Sequence, residues 1–129
     1  MERLLGGHSG TLYSVLRFMA GAMFACHGAQ KLFGALGGQV MTGVPLMLVA
    51  AIIEFAGGLL IAVGFLTSYA AFISSGEMAV AYFMAHASKG GFWPIVNKGE
   101  LAVVYCFVFL FIAASGAGPY SVDGRGRRA

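Results

Sequence analysis

Arg17, His27, Gln30 and Lys31 stand inside one apolar stretch of this sequence, Glu54 inside a second, Glu77 inside a third, and Glu100 opens a fourth. A charged side chain at the centre of a bilayer costs roughly 2.5 to 3.5 kcal/mol on insertion scales, so several in one short chain require partners, water or a function. The residue types suit proton-coupled chemistry. Imidazole changes charge near neutral pH, and the two carboxyls, Glu54 and Glu77, are further proton carriers beside a neutralising ammonium. Nothing among these residues names an electron donor or acceptor.

At roughly 100° per helical residue, Lys31 lies about 40° from both His27 and Arg17, which puts all three within an arc of about 80°. Gln30 adjoins that face, roughly 60° beyond His27. His27, Glu54 and Glu77 each fall roughly 9 to 14 Å below one common boundary if successive helices run up and down. They are therefore expected to meet in one half of a bundle. Arg17 lies toward the other end, where it is expected to snorkel to the interface in preference to reaching Glu77. The cluster has two readings. Either His27, Lys31, Glu54 and Glu77 neutralise one another and set helix register, or they line a polar cavity for a redox-active or protonatable small molecule, with Gln30 beside them and Arg17 and Glu100 as accessories.

The elements that must hold these residues are helices in a membrane. The chain has 129 residues, 59% hydrophobic and only 10% charged, with a mean hydropathy of +0.83. Soluble domains run near a quarter charged. The expected fold is all-α, an integral-membrane up-down-up-down bundle of four helices forming a single domain over 1–129. The spans are read at 12–33, 45–65, 68–87 and 100–116. Pro45 suits the first turn of the second span. Gly57, Gly58 and Gly64 would let a neighbouring helix approach closely. The segment from Ser88 to Gly99 reads as a loop. The basic tail at 119–129 is polar and expected to be partly disordered.

Net charge is +3, and Arg125, Arg127 and Arg128 supply much of it. In a chain this apolar they read as a topology signal and not as a nucleic-acid footprint. With Arg3 they place both termini in the cytoplasm, against Lys31, Lys89 and Lys98 on the other side. Cys26 and Cys106 form no CxxC motif and read as small buried apolar residues, although their similar depth would allow pairing if the first and fourth helices pack together. His86, about 180° around its helix from Glu77, is expected at the interface. Bis-histidine haem ligation is not expected, His8 has no assigned role, and no metal site is assigned.

Arg17 and Gly21 ahead of His27-Gly28-Ala29-Gln30-Lys31-Leu32-Phe33-Gly34, then Glu54, Gly57-Gly58 and Gly64, and finally Gly116-Ala117-Gly118 before Ser121-Val122-Asp123 form an ordered set. With these residues, from about Leu16 to Asp123, the sequence resembles the DoxX family of small bacterial membrane proteins. It departs from the family at Phe65-Leu66-Thr67-Ser68, where a basic residue is expected after threonine. The resemblance implies a multi-pass protein of the bacterial inner membrane. It further implies a subunit of a quinone-linked oxidoreductase or of an oxidative-stress or sulfur redox system, with a quinone as the ligand. A non-enzymatic scaffold for soluble redox partners is the first alternative, and a small-solute transporter, which would have to form a homo-oligomer, is the second. Ser121 and Asp123 are expected to cap the end of the last helix.

Overall fold

A computed structural model describes residues 1–128 of the chain, with side chains as far as Arg125. The side chains of Arg127 and Arg128, and residue Ala129, lie outside the described residues, and so does their part in the topology signal. The described residues are helical and contain no strand. Four long helices dominate. α1 is Ser9–Phe33, and α2 is Pro45–Val63 with a π-helical segment at Ile53–Gly57. α3 covers 67–90 with a second π-helical segment at Tyr82–Ala87, and α4 is Glu100–Ser115. The residues ahead of α1 are helical at Glu2–Leu5 and Gly6–His8.

Local chemistry explains the boundaries. α1 stops at Gly34, whose φ of 66° is left-handed, and the Gly34 N–H donates to the Gln30 carbonyl. Glycine adopts that conformation without a Cβ penalty. Pro45 begins α2 where its missing N–H is not needed. Gly64, with φ 74°, ends it.

On length and hydropathy, one helix among the described residues suffices to cross a membrane: α2, with 19 residues and a mean hydropathy of 2.5. α4 is apolar but has only 16 residues, while α1 has 25 residues but is diluted by Arg17, His27, Gln30 and Lys31. The outward surface is apolar on all four helices. Val15, Phe18 and Met19 of α1, Ile52 of α2, Phe72 and Phe83 of α3, and Val104, Phe107 and Phe111 of α4 are all exposed.

α1 and α2 touch backbone to backbone. A Cβ on Gly21 would stand 2.7 Å from the Gly58 carbonyl oxygen and 2.5 Å from the Ala62 nitrogen, and one on Gly28 would collide with the Phe55 backbone. Small residues allow this approach, as membrane helices commonly use them. Gly57 faces the other way, where a Cβ would stand 2.8 Å from Ser74 Oγ of α3. The core between α1, α3 and α4 is aromatic. Phe24 meets Phe109 edge-on with centroids 4.7 Å apart, and Tyr105 stacks on Phe109 at 5.3 Å.

Residues 116–125 are held by contacts with α1, α2 and α3. Arg17, only 3% exposed, donates to the carbonyls of Ile61 (3.0 Å), Ala62 (3.4 Å), Ala117 and Tyr120 (2.8 Å). It thus satisfies the last turn of α2 and the loop after α4 together. The expected snorkelling of Arg17 is corrected: carbonyls left without partners at a helix end match a five-donor guanidinium. Asp123 accepts from the Leu66 N–H and Thr67 N–H, each at 3.0 Å, and from Thr67 Oγ1 at 2.8 Å. It therefore caps α3 from 56 residues away. Ser121 accepts from the Gly124 N–H at 2.9 Å and starts the short helix Val122–Arg128. The terminal Ser-Val-Asp motif is a cap, though for α3 and the tail helix and not for the end of α4.

Candidate functional site

At the opposite end from Arg17, the four helices enclose a cavity of about 580 Å³. α1 contributes Phe24, His27 and Lys31, and α2 contributes Glu54 and the apolar residues Leu46, Met47, Val49, Ala50 and Ile53. α3 contributes Ile73, Gly76, Glu77, Met78, Val80, Ala81, Met84, Ala85 and His86, while Leu101, Ala102 and Tyr105 of α4 close the floor. Most of the wall is apolar, with a few polar groups gathered at one end. Small-molecule sites are generally built in that way, with volumes of about 300 to 1,000 Å³.

Lys31 Nζ donates to Glu54 Oε1 at 2.7 Å. Glu54 is almost wholly buried, at 2% exposure, whereas the Lys31 side chain is 25% exposed. The Tyr105 hydroxyl is buried without a hydrogen-bond partner. Glu54 Oε2 and Glu77 Oε2 are buried as well, and the two carboxyls lie within hydrogen-bonding reach of each other, with Lys31 as the nearby positive charge. The His27 ring meets Tyr105 edge-on, with centroids 6.1 Å apart. Buried polar atoms are nearly always satisfied, so the partnerless Tyr105 hydroxyl beside two adjoining carboxyls marks the polar end of the cavity.

Both carboxyls sit beside irregular helix. Glu54 lies in the π-helical segment Ile53–Gly57, and Glu77 lies less than two turns ahead of Tyr82–Ala87. Single π turns inside α-helices frequently occur at functional sites.

The sequence-chosen residues divide. His27, Lys31, Glu54 and Glu77 line the cavity together. Gln30 does not: its Nε2 donates to the Leu36 carbonyl at 3.2 Å, because the left-handed turn at Gly34 folds the following loop back over it. Arg17 belongs to the latch at the other end. Glu100 is exposed in the first turn of α4, where a carboxylate favours the helix N-terminus. Cys26 is exposed and Cys106 half-buried, and both are free. The reading of Cys26 as buried is corrected, since it sits on the outward face of α1, while Cys106 packs beside Ser75, whose hydroxyl donates to the Cys106 carbonyl at 2.7 Å.

Three polar lining residues escaped sequence reasoning: Tyr105, His86 and Lys98. His86 reaches the cavity although a regular helix would set it opposite Glu77. A π turn takes up an extra residue and so turns later side chains back by as much as about 100°. Its Nδ1 lies 3.3 Å from the Asn97 carbonyl. Tyr105 was concealed by its surroundings, being one phenol in a run of Val, Cys and Phe.

The DoxX family model matches residues 12–87, the segment that carries all four ionisable lining residues named from sequence. The chain belongs to the DoxX family. A Haemophilus influenzae relative, named only as an uncharacterized protein, is 44% identical over 116 residues, covering 85% of this chain and 87% of the relative. No solved structure matches the chain.

Proposed function

We propose that this DoxX protein crosses the bacterial inner membrane four times with both termini in the cytoplasm. In this reading it serves a quinone-linked redox system, of the oxidative-stress or sulfur-oxidising kind, as the subunit that binds the quinone. The observation that carries the proposal is the cavity, where Glu54 and Glu77 present buried oxygens beside His27, Lys31 and Tyr105. Lys31 neutralises Glu54 through one oxygen and leaves the other as an acceptor. Glu77 and His27 are the groups able to take up and release a proton, and Tyr105 can donate a hydrogen bond to a ligand oxygen. The membrane part of the proposal is supported by the apolar outer surface of all four helices. Water disfavours so large a continuous apolar surface and lipid does not. Soluble redox proteins are the expected partners, meeting the chain at its cytoplasmic face.

The test is purification in mild detergent followed by solvent extraction, addition of quinone to the extracted protein, and replacement of the chromosomal gene by His27→Ala and Glu77→Gln variants. Copurifying quinone, restored binding on addition, and impaired redox function in both variants are the expected results. If no quinone copurifies or binds, and both variants support normal redox function, the proposal is wrong.

A further inference from the structure

The cavity has a side as well as an end. α2 packs on α3 mainly between Ile53 and Val63, whereas its first half, Pro45–Ile52, packs on α1. Toward the Pro45 end the two helices therefore part. Leu46 and Val49 on one edge, and Ile73, Gly76, Val80 and Met84 on the other, are exposed on the outer surface and also line the cavity. A continuous apolar path thus joins the outer face to the buried polar end. These edge residues are all uncharged, which suits an alkyl chain and not a hydrated ion.

We infer that the ligand enters sideways from the lipid, between α2 and α3, and is an amphiphile whose compact polar head reaches Glu54 and Glu77 while its alkyl tail lies in the gap. This inference rests on the proposed ligand site and adds its route.

Gly76 provides the test, because a Cβ built there meets no atom within 4 Å. A side chain can therefore start there without meeting a neighbour. Full-length protein in nanodiscs would be titrated, under reducing conditions, with decyl-tailed benzoquinol and with tail-less benzoquinol. The wild type is expected to bind both. Gly76→Phe is expected to weaken the tailed quinol at least tenfold more than it weakens tail-less benzoquinol. Leu110→Phe, on the outer face of α4, should change neither. Unaltered binding of the tailed quinol by Gly76→Phe, or equal weakening of both quinols, overturns the lateral route. Failure of the wild type to bind either quinol overturns the ligand site and the route with it.

Discussion

Glu54 shows how one buried carboxyl divides its duties. One oxygen is committed to Lys31 while the carboxyl also adjoins Glu77, so the residue is both a structural anchor and part of the polar end of the cavity. Removing one partner of a buried ion pair leaves an uncompensated charge, which costs more than replacing both partners by apolar groups. Lys31→Met is therefore expected to lower unfolding stability in mild detergent by on the order of 3 kcal/mol. The double variant Lys31→Met/Glu54→Leu should regain most of that loss. Denaturant titrations of the wild type and both variants measure it, and a double variant no more stable than the single would show that the charge is not buried as described. At this scale the sequence was legible for helix α1. His27 and Lys31 were placed on one face by arithmetic, and that face meets the cavity. Gln30 was misjudged because arithmetic along a helix carries no information about the loop that returns over its end.

At the scale of elements, two devices set the geometry. The first is close approach, with Gly21, Gly28 and Gly58 bringing α1 and α2 into backbone contact and so putting Lys31 within reach of Glu54. Gly28→Leu is expected to force the helices apart and to lose folded protein in detergent size-exclusion profiles. Gly76→Ala, at an open position, should be neutral or stabilise by up to about 1 kcal/mol, glycine being the poorer helix former. Equal damage from the two substitutions would contradict this packing. The second device is the pair of π-helical segments, which re-aim His86 and hold Glu54 in an irregular stretch. Glycine spacing showed in the sequence. The π turns did not, because a pattern read at one fixed angle per residue cannot register a local change in that angle.

For the whole molecule, the arrangement is polarised. One end is a latch, in which Arg17 and Asp123 tie the segment after α4 to the adjoining ends of α2 and α3, and the other end is the cavity. The proposed orientation places the latch at the cytoplasmic face and the cavity in the opposite half of the membrane. With the two native cysteines replaced by serine, Phe92→Cys in the loop before α4 should react with a membrane-impermeant maleimide in intact cells. Arg125→Cys should react only after the cells are permeabilised. The reverse pattern would invert the proposed topology, and labelling of both in intact cells would show that α4 does not cross.

By itself, the sequence determined the helical class, the positions of the long apolar stretches, the family and four of the ionisable residues that converge, His27, Lys31, Glu54 and Glu77. All of these depend on composition and on patterns a few residues long, where the physical preferences of a segment are already decided. Only the tertiary structure decided which polar atoms lack partners, that Tyr105 and His86 join the cavity, that Arg17 is a latch, and where α2 and α3 part. Those outcomes turn on contacts between residues tens of positions apart, such as Arg17 with Tyr120 and Asp123 with Thr67. No local pattern encodes which of several compatible partners a buried group will meet.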